Sequence, residues 1–331
     1  SPVVTAAPRP AAPPAARPAP ASAPPEPSVR CALSGRAEFA RDTPIQSADG
    51  HAIARFTGGE LAVTVSELTL AERPRAHLET GSGRGSFRVR GFVSAAALPV
   101  VTTQALPIIA RHLWIAEQRS VSIQGVAGEK VRVEHAAAPP LTGTYSAVTT
   151  CAALSLAPAT PPGWSPPGDA RGYVLRQGTL ELFDAPQGTS VGMLRKAPDQ
   201  DAVLFFSTEQ NGGFVHLERH ADLGVDAWAR TAALAPLPRG ETMDQLAPPA
   251  SARTTARFAL PGEPRVVRTS REVPLRANAR DADAPIGSIA PDTETYVVDV
   301  MAGWASVLPR SLELMGPEGG QIWAKKSDLG L

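Results

Sequence analysis

The stretch VPLRANARDADAPIGSIAPDTETYVVDV at 273–300, with MAGWASV at 301–307 and QIWAKKSDL at 321–329, decides how the chain is read, because it has a counterpart. Residues 180–206 read LELFDAPQGTSVGMLRKAPDQDAVLFF, 211–217 read NGGFVHL and 226–234 read DAWARTAAL. Gly192 answers Gly287, Pro198-Asp199 answers Pro291-Asp292, Phe214 answers Trp304 and Trp228 answers Trp323. Leu234 and Leu329 each stand six residues past that last tryptophan. The intervening spacings differ by a few residues, as turn insertions would make them. Self-similarity on this scale marks one supersecondary unit used more than once. Two fainter copies lie upstream. In one, FTGGELAVTV at 56–65 precedes GFVSAAALPV at 91–100, where Phe92 to Leu98 repeats the six-residue ending. In the other, residues 102–156, the middle falls at 125–133 and the ending at Tyr145 to Leu154, with a spacing of nine.

Around these copies the texture is β. Short alternating runs occur at 61–65, 87–89, 121–123, 131–133, 203–206, 215–217, 294–300 and 305–308, separated by clusters of Gly, Asn, Asp and Pro. Short helices are expected only at 219–223 and 242–246. Residues 1–29 are nearly all Ala, Pro, Ser and Arg. Repeated prolines remove backbone donors and favour extended polyproline II, so this stretch reads as a disordered tether. Pro-rich stretches at 157–169 and 235–264 divide the rest. The expectation is an all-β chain of tandem small barrels on Pro-rich linkers, at 30–101, 102–158 (degenerate), 171–237 and 264–331.

At 331 residues and 43% apolar, several small cores are affordable. Lys+Arg and Asp+Glu balance at 32 each, which supplies no basic field for nucleic acid or an anionic membrane. No apolar run reaches transmembrane length. The chain opens on Ser1, so a removed signal peptide is expected. Cys31 and Cys151 stand in no metal-ligand spacing; they are either two buried thiols or one disulfide of an oxidising compartment.

The repeat resembles the bacterial Src-homology-3-like (SH3b) domain. The match is best over 272–329, through PLRANA, IGSIAPDTETYVVDV, GWASV and IWAKKSDL, and moderate over 180–234, where Phe214 replaces a tryptophan. The resemblance implies small bent barrels with an aromatic groove, for which Trp304, Trp323, Tyr296, Phe214 and Trp228 are the candidates. It also implies a periplasmic, envelope or secreted location and partners in peptidoglycan or envelope proteins. The alternatives are a structural subunit of a surface or secretion assembly and an accessory subunit of a cell-wall hydrolase.

No enzyme signature accompanies the repeats, and no cofactor is expected. GSGRGS at 81–86 lacks the Lys and the following helix of a phosphate loop. His216, Glu218 and His220 alternate along a strand and would share its outer face, with Val215 and Leu217 inward; a solvated face is the expectation over a metal site. Asp281/Asp283 and Asp199/Asp201 fall in expected turns, where Asp bonds nearby amides.

Overall fold

The computed structural model describes residues 27–160, 163–176, 178–238 and 264–331. The tether therefore lies outside the described residues except at its end. Ser28 and Val29, assigned to it by composition, instead open a long strand, Ser28–Glu38. The helix expected at 242–246 also lies outside. The helix expected at 219–223 is a hairpin turn between strands Phe214–His220 and Leu223–Arg230. All eight alternating runs fall within strands.

The all-β reading holds, and one strand plan recurs four times. In repeat 1 the six strands are Ser28–Glu38, Pro44–Gln46, Ala52–Phe56, Glu60–Thr69, Arg75–Thr80 and Phe87–Ser94. In repeat 2 they are Val100–Thr102, Leu106–Ile109, Leu113–Ile115, Ser120–Ala127, Lys130–Ala136 and Thr144–Thr150. In repeat 3 they are Arg171–Leu175, Thr179–Phe183, Ser190–Lys196, Val203–Ser207, Phe214–His220 and Leu223–Arg230. In repeat 4 they are Arg265–Arg268, Val273–Leu275, Gly287–Ile289, Glu294–Met301, Trp304–Pro309 and Trp323–Lys325.

In every repeat the first strand pairs with the fourth, the fourth with the fifth and the fifth with the sixth, all antiparallel. The second and third strands form a hairpin. That hairpin reaches the sixth strand at one aromatic position: Gln46 opposite Phe92, Phe183 opposite Trp228 and Arg276 opposite Trp323. These are the three aromatics that stand six residues before Leu98, Leu234 and Leu329. In repeat 2 that position is Val148 rather than Tyr145, so the spacing of nine is corrected to six. A short helical turn ends each copy, at Ala95–Ala97, Cys151–Ala153, Thr231–Ala233 and Lys326–Leu329.

The copies are not four self-contained barrels. Among the described residues the sheets stay open. The third strand, which could close a sheet on itself, pairs with another copy instead. Leu113–Ile115 of repeat 2 pairs with the start of the sixth strand of repeat 3, and Ser190–Lys196 of repeat 3 pairs with Leu141–Thr142 of repeat 2. Gly287–Ile289 of repeat 4 pairs with Phe87–Val89 of repeat 1, and Ala52–Phe56 of repeat 1 pairs with Leu314–Met315 of repeat 4. Both exchanges are reciprocal. Repeats 1 and 4 form one couple and repeats 2 and 3 the other, the inner couple nested within the outer. One continuous apolar cluster draws on all four copies.

The couplings explain the glycines that mark the sequence repeat. A Cβ on Gly287 would stand 2.0 Å from the Arg88 carbonyl oxygen across the seam, and one on Gly192 would stand 2.6 Å from the Ile109 side chain. Backbone cannot yield as a side-chain tip can. Gly287→Ala is therefore expected to destabilise the chain by about 1–3 kcal/mol, as overpacking does. An unchanged urea midpoint would remove the seam from that position.

Cys31, in the first strand of repeat 1, is bonded to Cys151 at the turn ending repeat 2, with Cα atoms 5.4 Å apart. The bridge thus ties the outer couple to the inner one.

Candidate functional site

The five aromatics named as groove candidates belong to two copies, Phe214 and Trp228 to repeat 3 and Tyr296, Trp304 and Trp323 to repeat 4. Trp304 and Phe214 are buried. Trp304 stands in a strand buried on both faces, Trp304–Pro309, with the Lys325 ammonium 5.8 Å from its ring centre. Phe214 packs edge-on against Phe183 at 5.4 Å, under Arg230. Trp228, Trp323 and Tyr296 are half-buried. Trp228 and Trp323 sit in different couples, and Tyr296 faces Leu308 while Trp323 faces Ser306.

The polar face at 216–220 has the expected sidedness: Val215, Leu217 and Arg219 are buried, while His216 and Glu218 are half-buried and His220 is exposed. Its members are engaged separately. His216 Nε2 lies 2.6 Å from Asp226 Oδ1. The His220 ring stacks on Trp164 at 4.7 Å and 10°, and meets Trp114 edge-on at 5.4 Å. Among the described residues no three of His, Cys, Asp and Glu gather as metal ligands, and no helix is long and apolar enough to cross a membrane.

His220 belongs to a cleft of about 390 Å³ at the seam of repeats 2 and 3. Trp114, Trp164, Glu117, Arg119, His220 and three alanines line it. The volume falls in the range of small-molecule sites. Trp114 comes from the third strand of repeat 2 and lies directly over Gly224 of repeat 3, where a Cβ would stand 1.9 Å from the indole. Trp164 comes from the Pro-rich linker, which is anchored to repeat 2 by Ala159 N–H donating to Gln118 Oε1 at 2.6 Å.

Glu117 and Arg119 flank Gln118 on a turn clasped by Thr102. Gln118 N–H donates to the Thr102 carbonyl, the Thr102 hydroxyl donates to the Ala116 carbonyl, and Arg119 N–H donates to the Thr102 hydroxyl. Repeat 4 builds the same clasp with Thr269, Ala290, Asp292 and Thr293. Gln118 and Asp292 both take positive φ, 58° and 62°. The turn is therefore a structural device of the repeat. In repeat 4, however, Pro291 and Thr293 stand where repeat 2 has Glu117 and Arg119, and Ser288 stands where repeat 2 has Trp114. The strand plan requires none of the three cleft residues.

A larger cleft, about 850 Å³, opens at the other seam, among His51, His77, Arg90, Phe92, Asn278 and Asp283. Its polar groups already have partners: His77 with the Ser66 hydroxyl at 2.9 Å, Arg90 with Glu79 at 3.0 Å and Asn278 with Asp283 at 2.8 Å.

Behind the smaller cleft lies a buried ionic cluster. Arg219 and Asp222, both of repeat 3, approach at 3.2 Å with side chains 5% and 8% exposed. Asp222 Oδ2 accepts the Ala138 amide of repeat 2 at 2.8 Å and faces His135 Nε2 of repeat 2 at 3.7 Å, too far for a hydrogen bond. Burial works to raise the Asp222 pKa, but the facing His135 ring, the Arg219 charge and the Ala138 amide outweigh it and hold it at about 2. Burial lowers the Arg219 pKa, against the nearby Asp222 charge.

Apart from His220, the residues found at this cleft escaped the sequence reading because each lies outside a repeat landmark. Trp164 sits in a linker, and Trp114, Glu117 and Arg119 occupy the weakest copy. Two of the five tryptophans standing off the repeat pattern was the available signal. No protein-family model, curated protein or solved structure matches this chain.

Proposed function

We propose that this chain is a non-enzymatic binding and scaffold protein of an oxidising, extracytoplasmic compartment, built from four open SH3-like repeats on Pro-rich connections. The observation that carries the reading is the fourfold strand plan in which each copy gives its third strand to another. Such reciprocal pairing converts small, marginal units into one rigid platform, as isologous interfaces do between subunits. The order first–fourth–fifth–sixth, closed by a helical turn, supports the SH3-like likeness. The Cys31–Cys151 bridge supports the compartment, since such bonds persist where the surroundings are oxidising. Partners in peptidoglycan or in envelope proteins follow from that location and from the aromatic clefts between copies.

The test is co-sedimentation of the full chain with isolated peptidoglycan, beside a pull-down from envelope fractions and sedimentation velocity of the protein alone. Retention on either fraction by a monomeric protein is the expected result. Concentration-dependent self-assembly without retention would replace the binding role with that of an assembly subunit.

A further inference from the structure

The cleft at the seam of repeats 2 and 3 contains a cation with no answer among the described residues. Arg119 Nε is buried and, among the described residues, has no hydrogen-bond partner. The guanidinium makes no ion pair or hydrogen bond with any described residue, whereas its neighbour Arg219 is answered by Asp222. Leaving a buried donor unmade costs free energy, and the repeat does not need the arginine, since Thr293 fills its place in repeat 4. A group kept at a cost, in a cleft, and not required by the fold is a ligand contact in waiting.

The other walls define what would fit. Trp164 has one face on His220, and Trp114 lies on the backbone of Gly224; their remaining surface lines the cleft. Indole faces are electron-rich and favour polarised C–H groups laid flat upon them. Glu117, half-buried and likewise without a described partner, can accept from hydroxyls. Arg119 matches a carboxylate in its planar, forked geometry. An apolar ring face, hydroxyls on its rim and one carboxylate are together the features of an acidic sugar.

We infer that this cleft binds a pyranose carrying a carboxylate, its ring on Trp114 and Trp164, its carboxylate on Arg119 and its hydroxyls on Glu117. The inference rests on the binding-protein reading and names a ligand class for it. A proline-rich peptide could also lie on two tryptophans, but it would leave the Arg119 charge unanswered.

Isothermal titration of the full-length protein with a short glucuronic acid oligomer tests this, with the glucose oligomer of equal length and a proline-rich peptide as the other arms. The acidic oligomer is expected to bind at least tenfold more tightly than the neutral one. Arg119→Gln is expected to abolish that preference, and Trp164→Ala to weaken both sugars, with circular dichroism confirming that the variants are folded. Equal binding of the two sugars, binding of the peptide alone, no binding, or an unaffected Arg119→Gln variant would each overturn the assignment. Retention on envelope fractions by a protein that binds no acidic sugar would sink this ligand class while leaving the binding-protein reading in place.

Discussion

Replacing Asp222 by alanine is expected to lower the unfolding free energy by roughly 3–5 kcal/mol, the usual cost of removing one partner from a buried ion pair. The substitution leaves Arg219, whose side chain is 5% exposed, without its counter-charge and strands the Ala138 amide of the neighbouring repeat. Urea unfolding measures the loss. Replacing both members, Arg219→Met with Asp222→Leu, is expected to cost less than Asp222→Ala alone, because no charge is then left buried. A loss under about 1 kcal/mol in the single variant would mean that water reaches the pair.

The same carboxylate gives a direction with pH. Its folded pKa, about 2, lies below the ordinary 3.8, so the unfolded state binds the proton more readily. Its contribution is complete above the ordinary value and drains away as pH falls from about 4 through about 2. Asp222→Asn is expected to flatten the stability curve in that window and to leave its slope above pH 5 unchanged.

The second large effect belongs to the disulfide. Cys31 and Cys151 are 120 residues apart in sequence, and closing so long a loop restricts the unfolded chain by roughly 4–5 kcal/mol in the loop-entropy account. Cys151→Ala, or reduction, is expected to lower stability by up to that amount. Thiol titration of the denatured, unreduced protein is expected to find no free thiol; two would refute the bridge.

Much of the fold was legible because strand and turn signals are local. Alternation placed 61–65, 215–217 and 305–308 in strands, and the Trp228 and Trp323 landmarks matched two copies to the residue. What stayed hidden was non-local. Nothing in Leu113–Ile115 or Gly287–Ile289 says that its hydrogen bonds go to a different copy, because period-2 patterning records which face is buried and not which chain segment lies alongside. The barrels expected at 171–237 and 264–331 failed for that reason. Gly192 and Gly287 were visible as matching marks, yet their role at a seam required the partner strand. Residue type alone could not separate core from surface aromatics: neighbouring elements bury Trp304 and Phe214, while Trp228, Trp323 and Tyr296 stay half-buried. Cys31 and Cys151 could be named as a candidate pair, and only packing of the first two copies could choose between bridge and free thiols.

The bridge also determines how the molecule would carry tension applied between Ser28 and Leu331. Force entering at Ser28 reaches Cys31 and crosses the covalent bond to Cys151, bypassing everything between. The interiors of repeats 1 and 2 are thereby removed from the load path. The load runs on through repeats 3 and 4, which strand pairing and shared apolar packing across the two seams hold to the shielded copies. Pulling would therefore separate the couples before it unravelled the bridged half. Reduction would return the segment between the two cysteines, 120 residues in sequence separation, to the load path, to be released as those copies unfold, so that in this arrangement the length a stretched molecule can release depends on the redox state of its surroundings.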